Sequence, residues 1–382
     1  MKSKLIPLSF FVYIIATVIS FVAFRSLLPG AEALINPAAV VYEDGSLVID
    51  PGEPKTETCP INGDYFTVTE KTAWEKRRPL LVMIENHQES RPQSGLGQAD
   101  LVYEAVAEGG ITRFMGVFYC DAVSQDNIVG PVRSARTYYL DWASEYSKNP
   151  LYAHVGGANT PNKANALGQI VDYGWGGEND LNQFALTVNE CWRDYSRLGR
   201  QVATEHTMYC STEALWKIGA NRGWAAKGED GELWSDQFTP WKFADPKPVS
   251  SPEIDTIAFD FWDYPQYSVS WKYDPESNQY LRSNGGSEHL DNNTDTQLTV
   301  RVVIIQYVTE TGPIDDHKHM LYGTIGTGNA LVFQNGQVIK ATWSKSSRTD
   351  RTIFLDPSKK EIEFARGKIW IEALPKGNQV DY

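Results

Sequence analysis

Between Glu85 and Arg136 the chain sets charged residues inside runs of β-formers and aromatics, and this combination restricts the fold more than any other feature. LVYEAVAE, from Leu101, and ITRFMGVF, from Ile111, carry Glu104, Glu108 and Arg113 among apolar neighbours. A Gly-Pro step then delivers Arg133 and Arg136 in GPVRSAR. Burying a lone charge is costly, so such residues must pair with one another or meet a ligand. The segment is expected to build a site.

The scaffold around it reads as α+β. LLVMIEN, from Leu80 to Asn86, has the unbroken apolar pattern of a strand buried on both faces. Gly109-Gly110 between two alternating runs predicts a β-hairpin, with Val102, Glu104, Val106 and Glu108 on one face of its first strand. Pro131 is placed to open a helix through VRSARTYYLDWASEYS. NKANALGQIVDY and STEALWKIGANRG read as further helices, the second capped at Ser211. A proline-rich linker follows Trp234, and after it come short alternating runs separated by turn signals such as Asn284-Gly285-Gly286 and Asn335-Gly336. The expected order is an N-terminal transmembrane helix, a mixed α/β domain and a β-rich C-terminal domain. In residue numbers this is a membrane anchor or signal segment over 1–25, a tether over 26–76, the α/β domain over 77–236 and the β-rich domain over 237–382.

Lys2 and Lys4 precede Leu5 to Phe24, a mostly apolar run without a charge. As a helix it would rise about 30 Å, enough to cross a bilayer core. The flanking lysines place the N-terminus in the cytoplasm and the body outside. Pro29-Gly30 and Ala31-Glu32-Ala33 also resemble a signal-peptide cleavage region, which would make the protein secreted. The apolar run is longer than a signal peptide's, and this favours a retained single-pass anchor in the cell membrane. The region has no cysteine that could carry a lipid.

With 48 acidic against 35 basic residues and a net charge of -13, the chain lacks the basic footprint of a nucleic-acid surface. Cys59, Cys120, Cys191 and Cys210 form no C-x-x-C pair, so a cysteine zinc site is not expected. A Cys191–Cys210 bridge is open to an oxidising compartment, but buried thiols are the expected state.

Arg133 and Arg136, three apart at a helix start with Ser134 between them, suit an anion seat for a carboxylate, phosphate or uronate. The competing expectation is an internal network in which Glu104 and Glu108 neutralise both arginines. The ligand-binding set comprises Glu85, Asn86, His87, Arg91, Arg113, Arg133, Ser134, Arg136, Arg193 and His206. The candidate acid/base residues are Glu104, Glu108 and His154, because two carboxyls about 5–10 Å apart can cleave a glycosidic bond. Asp315-Asp316-His317-Lys318-His319 has metal-binding residue types but reads as a solvated loop. No metal or cofactor is expected, and neither a nucleophile elbow nor a phosphate-binding loop is present.

VMIEN, SRPQSGL, QADLVYEAVAEGGITRF and GPVRSAR, followed by HVGGA, CWRD, HTMY, HLD, TWSK and GKIWIEALP, resemble the YerB-like family of bacterial envelope proteins, a domain of unknown function numbered 3048. The likeness runs from about Arg78 to Pro375, and GPVRSAR is quite specific. It implies an α/β domain followed by a β-rich one, in proteins that are typically lipoproteins. This chain departs in lacking the lipidated cysteine, and the family supplies no catalytic residues to transfer. The expected function is that of a membrane-anchored extracytoplasmic protein binding an anionic envelope ligand, wall glycan or peptide, or envelope protein partners. The alternative is a glycan-acting hydrolase or lyase with a glutamate acid/base.

Overall fold

Leu80–Glu85 is buried along its whole length, as its unbroken apolar run requires. It lies within an eleven-stranded mixed sheet in the computed structural model, which describes residues 42–43, 46–228, 231–249 and 251–382. At one edge Asp180–Asn182, Leu151–His154 and Leu80–Glu85 run parallel. The hairpin Leu101–Glu108/Ile111–Phe118 follows, paired antiparallel to Leu80–Glu85. Next comes Ile369–Pro375, from near the C-terminus, parallel both to Leu101–Glu108 and to Val302–Thr311. Gly326–Gln334, Gln337–Lys345 and Ile353–Leu355 follow in antiparallel order, and the short Leu321–Gly323, antiparallel to the end of Val302–Thr311, is the eleventh strand. Strands from both ends of the chain therefore share one sheet. A second, six-stranded sheet is built on Thr256–Phe259, Val269–Asp274 and Gln279–Asn284. Its Trp271 meets Trp370 of the large sheet edge-on, with ring centroids 5.4 Å apart.

The molecule is sheet-rich with few helices, and its C-terminal region is β-rich as expected. The hairpin forms at Gly109-Gly110, where both residues have positive φ and a Cβ on Gly110 would come within 2.4 Å of the Tyr264 ring. Ala166–Asp172 and Thr212–Asn221 are helices, capped by the Asn165 and Ser211 side chains. The helix expected from Pro131 begins only at Thr137. Residues 131–136 instead lie along the sheet. Pro131 accepts from Glu85 N, Arg133 N donates to Met83, Arg133 O accepts from Val155 N, and Ala135 N donates to Gly156. Backbone groups already paired with neighbouring strands are not free to close a helical turn.

The expectation of free thiols is corrected. Cys59–Cys120 and Cys191–Cys210 are disulfides, and no cysteine is free. Cys191 and Cys210 are register partners in adjacent antiparallel strands, and that pairing brings their Cα atoms to 4.0 Å. Cys59, Ile61, Phe66 and Trp74, from the segment read as a tether, join the hydrophobic core. The expected transmembrane helix over 1–25 lies outside the described residues. Among the described residues no helix is long and apolar enough to cross a membrane.

Candidate functional site

Glu85 and Arg113 are register partners, as are Glu104 and Phe114. Side chains alternate along a strand, so Glu85 and Arg113 share one face of the sheet and Glu104 and Phe114 the other. Regular alternation would send Glu108 with Glu104. A register shift between Val106 and Glu108 turns it instead to the face of Arg113. The two carboxylates expected on one face therefore serve separate clusters.

On the first face, Glu108 accepts from Arg113 Nη2 at 2.7 Å and from Arg136 at 2.5 and 3.1 Å. Burial pushes the Glu108 carboxyl up, but the two guanidiniums outweigh burial and hold it at about 2. Arg113 also donates to the Ser134 carbonyl at 3.1 Å. Glu85 takes Arg133 Nε at 3.0 Å on one oxygen and His206 Nδ1 at 2.8 Å on the other. Burial opposes its ionisation, yet His206 and Arg133 bring it below the usual carboxylate range. The hydrogen bond to Glu85 raises His206 above the ordinary histidine value, while burial lowers His87, whose ring stacks on His206 at 4.7 Å.

Ser134 and Gly157 sit where two clefts meet, of about 530 and 440 Å³. Arg133, Gly156, Asn182, Phe184 and Arg193 line the first. Glu108, Arg136, Asn159, Thr160, His317 and His319 line the second. Together they form a groove past Arg133, Ser134 and Arg136. Phe184, 74% exposed, covers Gly156, where φ is +57 and a Cβ would lie 3.1 Å from the ring. The loop expected to be merely solvated supplies a wall: Asp315 Oδ2 holds His319 Nδ1 at 2.7 Å and also accepts from Asn162 at 2.9 Å. Its sequence looked polar, but the antiparallel bridge between Glu108 and His319 ties it to the hairpin end.

Glu104 lies on the opposite face, fully buried, accepting from Arg282 Nη2 at 2.5 Å and Thr112 Oγ1 at 2.7 Å. Asn86 joins that cluster, its Oδ1 accepting from Arg91, Gln93 and Asn284 at 3.0, 3.1 and 3.0 Å. Arg133 and Arg136 are therefore paired with Glu85 and Glu108, and neither with Glu104. His154 is buried beneath the groove, with both ring nitrogens taken by Gly156 O and Asp180 Oδ1 at 2.6 Å. Arg193 reaches Thr207 Oγ1 at 3.3 Å and the Thr204 carbonyl. The sequence reading missed Arg282, which lies between the rings of Phe114, Trp271 and Trp370. Its signal was an arginine in an alternating strand, YLRSN, that turns out to point inward. A larger cleft of about 910 Å³, lined by Tyr307, Lys340, Lys376 and Tyr382, lies on the C-terminal strands away from these residues.

Two family models cover most of the described chain: the N-terminal domain of a protein of unknown function (DUF3048) matches residues 66–225, and its C-terminal domain matches 257–371. The chain belongs to the DUF3048 family. A relative from Bacillus subtilis (strain 168), described as "Putative lipoprotein YerB", is 29% identical over 327 residues, covering 85% of this chain and 88% of the relative. The crystal structure of YerB protein from Bacillus subtilis superimposes with a TM-score of 0.67 at 26% identity, over 86% of this chain and 100% of that one. Within this DUF3048 fold two family-like motifs serve cohesion. Asp291 of HLD accepts from the backbone N–H of Gly95, in SRPQSGL, at 3.1 Å and of Gly97, the residue that follows that motif, at 2.7 Å.

Proposed function

We propose that this protein is held at the outer face of the membrane by its N-terminal apolar segment and binds an anionic envelope ligand, wall glycan or peptide, in the groove along Arg133, Ser134 and Arg136. The charge balance at the groove floor carries this reading. Arg113 and Arg136 share a single carboxylate, Glu108, so the two guanidiniums outnumber the carboxylate within that trio. A carboxylate, phosphate or uronate supplies the missing partner, and arginine's fork geometry suits all three.

Two disulfides use all four cysteines, and disulfides persist in oxidising compartments, which supports an extracytoplasmic body. The relative is described as a lipoprotein. Cys59 is bonded to Cys120 and so is not available to carry a lipid, and the apolar run from Leu5 to Phe24 is the anchor in this reading. A glycan hydrolase needs a carboxyl held protonated as general acid. Glu85 and Glu108 are both held below the usual range, which favours binding over cleavage.

The test is thermal-shift and NMR titration of the full chain in detergent with muropeptides, anionic wall polymers and their neutral counterparts, with mass spectrometry of each mixture. The expected result is a saturable response to the anionic compounds that Arg133→Ala abolishes, with ligand masses unchanged. New product masses would replace binding by catalysis. Silence towards every compound would overturn the ligand site and direct the search to envelope protein partners.

A further inference from the structure

We infer that His87, Glu89 and His206 form a binding site for a divalent transition-metal ion of the zinc class, beside the Arg133 end of the groove. Each residue offers one ligand atom, and these atoms all lie within 4.8 Å of one another. Two imidazoles and a carboxylate are a donor set of open zinc sites, in which remaining positions are left to water or substrate. The inference is independent of the anionic-ligand reading.

His206 is prepared for this role by the residues behind it. Its Nδ1–H donates to Glu85 Oε2 at 2.8 Å, which turns the Nε2 lone pair towards Glu89, whose Oε2 lies 3.6 Å away. A carboxylate behind an imidazole fixes the tautomer and ring orientation that metal binding needs. Glu85 is itself fixed by Arg133 at 3.0 Å. The buried half of the site is thus rigid before any ion arrives.

The other half can move. His87 caps the short turn Gln88–Ser90, its Nδ1 accepting from Glu89 N at 3.2 Å. The two imidazole planes are within 7° of parallel. Parallel stacked rings cannot both aim lone pairs at one ion, so binding turns the His87 ring off the stack and releases that contact. The Glu89 side chain is 52% exposed and His87 is only partly buried, so both can close on a cation. Glu89 brings a negative charge to the ion, while Glu85, already paired with Arg133, supports the His206 ring from behind. The other cluster of metal-ligating types among the described residues, Cys59, Asp100 and Cys120, is closed by its disulfide.

The experiment is titration of tag-free, chelator-stripped full-length protein in detergent with Co²⁺ and then Zn²⁺, followed by calorimetry and visible absorption. One equivalent of Co²⁺ is expected to give the intense d–d bands of a four- or five-coordinate ion, and Zn²⁺ to displace it. Glu89→Gln, at an exposed position, and His87→Ala should each weaken binding at least tenfold. His319→Ala should leave it unchanged, since the Asp315–His319 loop is a separate group. No binding at micromolar metal would overturn the proposal, as would binding that survives both Glu89→Gln and His87→Ala or is lost in His319→Ala.

Discussion

Glu104 and Glu372 are register partners in parallel neighbouring strands, and Arg282 lies 2.5 Å from the first and 3.9 Å from the second. Three ionisable groups, all fully buried, thus meet where the N-terminal hairpin joins the strand from the C-terminus. One arginine cannot neutralise two carboxylates. Burial, reinforced by Glu104, pushes the Glu372 carboxyl well above its usual range, so it is held protonated beside the Glu104–Arg282 pair.

A pH dependence follows. A carboxyl whose folded-state value is raised stabilises fully below its unfolded value, near 4.5 here, and that contribution is lost as pH rises towards the folded value. Glu372→Gln keeps an acceptor for Trp271 Nε1, which now donates to Glu372 at 3.1 Å, and cannot ionise. Thermal unfolding at pH 5 and pH 8 should show the wild type losing more stability across this interval than the variant. Equal losses would mean that Glu372 is not the titrating group.

Glu108 has the opposite sign. Its folded value of about 2, against 4.5 unfolded, gives stability that is present above the unfolded value and lost as pH falls through the folded one. The difference is worth about 3 kcal/mol. Glu108→Gln strands two buried guanidiniums and should cost about 3–5 kcal/mol in urea unfolding at pH 7, with a smaller deficit at pH 2–3. A variant as stable as wild type at pH 7 would remove Glu108 from the structural network.

Arg282 should behave as the tie between the two sheets. Arg282→Met leaves Glu104 as an uncompensated buried charge and should cost about 3–5 kcal/mol. Adding Glu104→Gln removes that charge, so the double variant should be more stable than Arg282→Met alone. Chemical denaturation of the four-member cycle measures this directly. Additive losses would show that Arg282 contributes chiefly by packing among its three aromatic neighbours.

What the sequence makes legible is what local pattern encodes. The unbroken run from Leu80 marks a strand buried on both sides, Gly109-Gly110 marks a turn, and Ser211 marks a helix start. The concentration of charge among β-formers requires that the charges pair or meet a ligand, and the structure pairs Arg113, Arg133 and Arg136 with Glu108 and Glu85. The partners were not legible, because they depend on long-range register. Arg282 meets a residue 178 positions away. Nothing in VAE announces the shift that separates Glu108 from Glu104. Ile369–Pro375 reads like any other β-run, yet it enters the middle of the sheet between strands distant in sequence. Pro131 carries a helix-start signal, but the sheet claims the backbone of Arg133 and Ala135 first.

The disulfides allow a prediction from loop length alone. Cys59–Cys120 spans 61 residues and Cys191–Cys210 spans 19. Cross-linking restricts the unfolded chain more strongly for the longer loop, about 4 against about 3 kcal/mol in the chain-entropy picture. The longer bridge also fastens Cys59 and its core neighbours Ile61 and Phe66 to the end of the hairpin strand Ile111–Phe118. Replacing Cys59 and Cys120 by serine should therefore lower the melting temperature more than replacing Cys191 and Cys210. The second pair closes β-strands that flank Arg193 and His206, so its loss should fall on the groove more than on global stability. Melting curves of the two double variants, with histidine-ring NMR of His206 in each, separate these effects. A larger melting loss for the Cys191/Cys210 variant would show that the short bridge, and not the long one, dominates stability.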